Sequence, residues 1–182
     1  NRIGEALYFS RFRRDLLSRV KGRVLEIGVG TGKSFRDYPS GLYITAVDIN
    51  DRMSKRAAKR AKNYRGKVEL KREDVQHLSF KDESFESVFT SWVFCSVTDP
   101  VRGLREIRGV LKKDGQLLML EHVRSKGRIV GLLMDALNPF VVRVWGENIN
   151  RDTVRNLRKA GLKVKKERNL VSDIVKAIVA TK

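Results

Sequence analysis

Glu26, Gly28, Gly30 and Gly32 fall at alternate positions in VLEIGVGTGKS (24–34), and the chemistry such a run can do is ligand binding by bare backbone. Glycine takes left-handed backbone freely and leaves no Cβ between an N–H group and a ligand. A phosphate-cradling GxxxxGK[ST] loop would end on Gly32, Lys33 and Ser34, but its first glycine belongs at position 27, which is Ile27. A dinucleotide GxGxxG loop needs a third glycine at position 33, which is Lys33. ExGxGxG remains. A carboxylate two residues before the first glycine would repel a pyrophosphate and attract a ligand ammonium.

S-Adenosylmethionine (SAM) carries that ammonium and no phosphate. Its ribose hydroxyls call for a carboxylate ~20 residues past the glycine loop, and Asp48 lies at that distance from Gly28. Asp74, in EDV, can accept the exocyclic amino group of adenine. Each carboxylate alone could cap a helix; three at successive strand ends point to one ligand. The spacing of metal ligands is missing: a single cysteine, Cys95, forbids a CxxC site and an internal disulfide, and no metal is expected.

The elements that must position these groups are legible in the apolar spacing. Residues 3–20 place Phe9, Phe12, Leu16, Leu17 and Val20 on one face of an amphipathic leading helix. RVLEIG (23–28), YITAVD (43–48), KVELKRED (67–74), FESVFTSW (85–92) and QLLMLEHV (116–123) read as strands, with closing strands at about 162–168 and 174–181. A short helix follows Gly32, and a basic surface helix runs over 51–65. Asp99 and Pro100 open a helix with Val101, Leu104, Ile107, Val110 and Leu111 as its core stripe, ending near Lys112, Lys113 and Gly115. A last helix spans 150–160 and stops at Gly161. This alternation predicts an α/β fold: one domain over 1–182 with a doubly wound, mostly parallel sheet of seven strands, the last antiparallel, and the ligand at the strands' carboxyl ends.

VLEIGVGTG, VDIN followed by Met53, EDVQHLSF and SVFTSWVFCSVTDPVRGLREIRGVLKKDGQLLMLE together resemble the class I SAM-dependent methyltransferases over about 23–122. The likeness is to the group holding the quinone-biosynthesis and phospholipid N-methyltransferases. It implies a Rossmann-like fold and SAM as cofactor. It also implies that Glu26, Gly28, Gly30 and Gly32 line the methionine and ribose portion, that Asp48 holds the ribose, and that Ile49 and Met53 pack on adenine. Asp74 with Val75 would read the adenine edge, and Ser91 would lie beside the methionine portion.

Methyl transfer from a sulfonium is an in-line displacement, so the protein has chiefly to align donor and acceptor and exclude water. Glu121 and His122, at the end of the fifth strand, are the acid/base candidates expected at the transfer cleft. His122 would take a proton from an amine or thiol. Tyr8 is a third candidate, reaching the pocket if residues 1–22 form the lid of the family pattern. His77 is read as structural. Ser91, Trp92, Val93 and Phe94 stand where base-amine and glutamine methyltransferases carry [DNS]PP[YFW]. Cys95 follows Phe94, not the proline of the RNA cytosine-C5 enzymes, and reads as core.

Loops after a strand usually take ~2–6 residues, so residues 123–149 form an insertion after the fifth strand. It is apolar from Ile129 to Trp145, interrupted by Asp135, Asn138-Pro139 and Arg143. The expectation is two short amphipathic pieces over the active-site mouth, rimmed by Arg124, Lys126 and Arg128. That arrangement suits an acceptor with an apolar body, reached from an anionic membrane surface. The insertion, with NINRDT after it, resembles the membrane-associated methyltransferases of lipids and small thiols.

With 39 Lys+Arg against 21 Asp+Glu, the net charge of +18 attracts phosphate-bearing partners, whether anionic lipid or RNA. A heat-adapted surface explains many charges better than it explains their one sign. The leading expectation is a SAM-dependent methyltransferase of a hydrophobic small molecule or lipid head group. An RNA methyltransferase is the second, resting on the basic segments 51–65 and 151–168, and a non-catalytic SAM-binding protein the third. The lone cysteine fits a reducing cytosol, and a peripheral membrane location goes with the lipid reading. The first residues do not resemble a signal peptide, and Asn1 leaves room for residues upstream.

Overall fold

The computed structural model describes the backbone of residues 2–182 and side chains from Phe9 onward. Its strands are β1 (Arg23–Ile27), β2 (Tyr43–Asp48), β3 (Lys67–Arg72), β4 (Phe85–Ser91), β5 (Leu111–His122), β6 (Lys163–Val171) and β7 (Val175–Thr181). They join one seven-stranded sheet in the order β3-β2-β1-β4-β5-β7-β6. The first five are mutually parallel, and β7 runs antiparallel to both β5 and β6. This is the doubly wound, mostly parallel sheet with an antiparallel last strand that the alternation predicts.

The helices are α1 (Arg2–Leu17), α2 (Asp51–Ala61), α3 (Pro100–Val110), α4 (Arg128–Trp145) and α5 (Thr153–Lys159), with a 3-10 turn at Lys33–Asp37. Successive strand residues point to opposite faces, so β5 divides its apolar run between two cores. Leu117 and Met119 pack with Leu25, Val88 and the α3 and α5 residues Leu104, Ile107 and Leu157. Leu118 and Leu120 pack with Val24, Phe89, the α1 residues Leu16 and Leu17, and Ala57 of α2. A strand buried on both faces reads as an unbroken apolar run, which is why QLLML shows no alternation.

Local signals set most ends. Asn50 caps α2 by accepting from the N–H groups of Arg52 and Met53, and Asp99 caps α3 by accepting from Arg102 N–H at 3.0 Å. Several ends differ from expectation: α5 starts at Thr153 and not at 150, β3 ends at Arg72 and not at 74, and β6 runs on to Val171. The helix expected to run to 112–115 stops at Val110, because Leu111 turns extended and pairs with Phe85, so β5 starts earlier than 116. The helix expected over 51–65 ends at Ala61, since Tyr64 turns back to bond the Leu42 N–H and the Pro39 carbonyl.

The insertion departs most. Instead of two pieces it is a single 18-residue helix, α4, with Pro139 inside it. Proline removes one rung of the helical ladder, but tertiary bonds pin the turn that leads into it. Arg124 forks onto the Asp135 carboxylate through Nε at 3.0 Å and Nη2 at 2.7 Å, and Asn138 Oδ1 accepts the Ile149 N–H at 2.9 Å. No helix among the described residues is long and apolar enough to cross a membrane.

Candidate active site

At the carboxyl edge of the parallel strands, β1 runs into the glycine loop, β2 ends on Asp48, β3 leads to Asp74, and β4 ends on Ser91. The strand order places β1 between β2 and β4, so these four ends converge on one crevice. The loop is tied to β2 by Gly28 and Val29 N–H groups, both donating to the Val47 carbonyl at 2.8 and 3.0 Å. Gly30 N–H donates to Asp48 Oδ2 at 2.7 Å, and Asn50 N–H donates to Asp48 Oδ1 at 2.8 Å. A carboxylate keeps further lone pairs after two such bonds.

A cleft of about 540 Å³ opens there. Of the sequence-predicted residues it brings together Gly28, Gly30, Asp48, Ile49, Met53, Asp74, Val75 and Ser91. Among the described residues its lining contains the carboxylates of Asp48, Glu73 and Asp74 and no lysine or arginine, although the chain carries a net charge of +18. The cleft is thus a negative spot on a positive molecule, suited to a ligand with a sulfonium and an ammonium and unsuited to a pyrophosphate. At Gly28 a Cβ would lie 2.4 Å from Val93 Cγ2, so the protein itself requires glycine there, whereas around Gly30 the nearest atom to an added Cβ is the Gly28 carbonyl at 3.9 Å, which leaves that backbone open to a close-lying ligand. SAM, when bound, supplies an activated methyl group.

Glu26 and Gly32 lie beneath this lining, not in it. Burial pushes the Glu26 carboxyl up to about 7, and Ser34, Tyr38 and Arg13 beside it oppose that rise. The Ser34 and Tyr38 hydroxyls lie near the carboxyl but outside full hydrogen-bond geometry, and with Glu26 Oε2 they are buried without a partner among the described residues. Gly32 is the left-handed N-cap of the 3-10 turn and packs against Phe35 and Ala57.

Glu121 does not face the cleft as expected. It is fully buried and accepts from Thr90 Oγ1 at 2.9 Å, from Val93 N–H at 3.2 Å and from Phe94 N–H at 3.3 Å. Burial pushes its carboxyl up to about 7, against the pull of Thr90 and the two N–H groups. His122 also stands outside the cleft lining; it pairs with Val175 across the sheet, its Nδ1 is buried without a partner among the described residues, and burial holds its pKa below the usual histidine range. The side chain of Tyr8 lies outside the described residues. His77 is bound to Arg102 Nη2 at 2.9 Å, as a structural histidine would be. Burial pushes the Cys95 thiol up to about 11, so it holds its proton at neutral pH.

Sequence reasoning missed Gln76 and Trp92. Gln76 links Asp74 to α3: its N–H and side-chain amide donate to the Asp74 carboxylate, and its Oε1 accepts Asp99 N–H at 2.8 Å. The capped turn after Asp74 was the signal for it. Trp92 lines the cleft with left-handed backbone, φ +59°, and packs edge to face on Phe9 of α1 at 5.2 Å. Nothing in a sequence announces a positive φ on tryptophan.

The segment after α4 is bonded to the same loop. Asn148 donates through its backbone N–H and Nδ2 to the Cys95 carbonyl, and Arg151 Nη2 donates to the Val97 carbonyl at 2.7 Å.

The methyltransferase-domain family matches residues 25–119, more than half of the chain. The phosphatidylethanolamine N-methyltransferase of Cereibacter sphaeroides is 32% identical over 114 residues, covering 61% of this chain and 56% of that protein. The human thiol S-methyltransferase TMT1B is 36% identical over 124 residues, covering 61% of this chain and 50% of that one. The match thus spans about half the length of these relatives. An S-adenosylmethionine-dependent methyltransferase structure from Mesorhizobium loti superposes with a TM-score of 0.72 at 17% identity, over 94% of this chain and 96% of that one. Motif, crevice, sheet order and family match agree: the chain belongs to the class I SAM-dependent methyltransferases, with SAM as the family's cofactor.

Proposed function

We propose that this protein transfers the SAM methyl group to an acceptor with an apolar body, a hydrophobic small molecule or a lipid head group, at the edge of an anionic membrane. The observation that carries the reading is α4, which is built inside out. Gly131, Met134, Asp135 and Asn138 face the body, while Ile129, Leu132, Leu133, Leu137, Phe140, Val144 and Trp145 are exposed. Water disfavours such a face, and a greasy acceptor or the acyl boundary of a bilayer favours it. Asp135 is the one acidic residue of α4 and is taken up by Arg124; Lys126, Arg128 and Arg143 remain exposed around the apolar face. The segment bonded to the cleft loop joins this surface to the site.

In this reading Gly28, Gly30, Asp48 and Asp74, with Ile49, Met53, Val75 and Ser91, hold the donor, and Glu26 supports the loop from beneath. His122 lies outside the cleft lining and is the candidate for the acceptor's proton only where an acceptor reaches past that lining, with residues 1–22 including Tyr8 as a lid. The two relatives are named for an amine lipid and for thiols, which supports nitrogen or sulfur as the receiving atom. A cytosolic protein docking peripherally on membranes is consistent with both. Incubation with methyl-labelled SAM and, separately, phosphatidylethanolamine micelles, dodecanethiol and a demethylated quinol tests it. Label in the organic extract is the expected result; label on none of the three, with SAM bound, would leave a non-catalytic SAM-binding protein.

RNA is the second reading, favoured by the exposed basic side chains Arg52, Lys55, Arg56, Lys59 and Arg60 on α2. Affinity that falls with salt would be mere charge; label in RNA resistant to high salt would establish this reading over the lipid one.

A further inference from the structure

Trp92 sits in a backbone conformation its side chain disfavours, φ +59°, where a glycine would be at ease. The conformation is held from three sides. Trp92 N–H donates to the Leu120 carbonyl at 2.9 Å, and the next two N–H groups, of Val93 and Phe94, donate to the buried Glu121 carboxylate. Thr90 Oγ1, on the other flank of Trp92, donates to that same carboxylate. Glu121 therefore gathers donors from both sides of the turn that carries the indole.

The outcome is an indole that is presented to the cleft and left 39% exposed, with Phe9 edge-on against it. Sheet order says what it meets. Asp48 and Asp74 lie at the β2 and β3 ends, on one side of the glycine loop, and Trp92 follows β4 on the other. That other side is also where α1 arrives and where the Cys95 and Val97 carbonyls take the segment following α4. An aromatic face at this convergence is placed for a ligand's apolar part, away from the carboxylates that suit an adenosine.

We infer that Trp92 determines acceptor specificity as an aromatic wall for the acceptor's apolar body, and that Glu121 is its positioning residue and not a proton acceptor. This rests on the methyltransferase reading above. Glu121→Met removes both acceptors at similar length and breaks the clamp, whereas Glu121→Gln can keep it, its Oε1 accepting from the Val93 and Phe94 N–H groups and its N–H₂ donating to Thr90 Oγ1. Glycine at 92 needs no clamp.

The test uses two readouts. Trp145→Phe leaves Trp92 as the single tryptophan, and its fluorescence is followed, with demethylated SAM bound, as dodecanethiol or phosphatidylethanolamine micelles are added. A saturable change is expected. In steady-state assays on whichever probe is methylated, Trp92→Gly should raise acceptor KM about tenfold while SAM affinity stays within about threefold. Glu121→Met should raise KM similarly in the parent and have little effect in the Trp92→Gly background. If Glu121→Met does not fold, Thr90→Val removes one donor from the carboxylate and takes its place in the cycle.

A fall in kcat from Glu121→Gln in both backgrounds would make Glu121 part of the proton transfer and overturn the positioning role. Methylation of a probe with no change in Trp92 fluorescence would overturn the wall and leave the methyltransferase reading intact. A saturable fluorescence change with no methylation of either probe would uphold the wall and count against transfer to this acceptor class. Silence in both readouts overturns both.

Discussion

Asp48 Oδ2 accepts the Gly30 N–H at 2.7 Å, so the carboxylate at the end of β2 fixes the glycine loop leaving β1. One residue thus shapes the loop and offers its remaining lone pairs to the cleft. The two roles are coupled, because the same bond that orders the loop also orients the carboxylate.

Asp48→Ala should weaken SAM binding by about 1–3 kcal/mol, through lost ribose hydrogen bonds and a slackened loop. Isothermal calorimetry on protein with a native circular-dichroism spectrum measures it. Unchanged affinity would remove Asp48 from the site, and tighter binding of NAD than of SAM would contradict the cofactor.

Gly28→Ala should cost about 1–3 kcal/mol of stability or of SAM affinity, because alanine is strained at φ +67° and its Cβ would meet Val93 Cγ2 at 2.4 Å. Urea denaturation and calorimetry apportion the loss. A neutral result in both would mean that the loop can shift without consequence.

Glu26 links stability to pH. Its folded pKa of about 7 lies above the ordinary 4.5, so its contribution is fully present below pH 4.5 and is lost as pH rises through 7. Glu26→Gln does not titrate. Relative to the parent it should gain stability between pH 4.5 and about 7.5, approaching about 3 kcal/mol for a shift of this size. Urea midpoints at pH 5 and pH 8 give the difference, in which groups common to both proteins cancel; a pH-independent difference would mean that Glu26 stays ionised throughout.

Phe140 and Trp145 are 62% and 65% exposed and pack on each other at 6.3 Å. Replacing both with serine should leave the melting temperature and SAM affinity nearly unchanged. Binding to vesicles of phosphatidylethanolamine with phosphatidylglycerol should weaken by about tenfold or more, since aromatic area transfers at ~25 cal/mol per Å². Sedimentation with vesicles reads this out. If binding persists at the parent level and only added salt removes it, charge alone drives the contact.

Residue order alone determined the strands, their parallel sense, the cofactor class and most of the cleft. Each rests on spacing that survives any packing: alternating glycines after β1, a carboxylate at each of two later strand ends, a continuous apolar run where β5 is covered on both faces. Tertiary structure decided what depends on partners far apart in the chain. Glu121 read as a group open to the cleft, because no pattern reveals that Thr90, Val93 and Phe94, some 30 residues upstream, supply donors that bury it. Residues 129–145 read as two pieces, because a proline rule sees the lost rung and not the Arg124–Asp135 and Asn138–Ile149 bonds that pin the turn leading into Pro139. Trp92 gave no sign at all: its left-handed backbone lies in a turn bonded to the Leu120 carbonyl and, through Thr90, Val93 and Phe94, to a buried carboxylate on another strand.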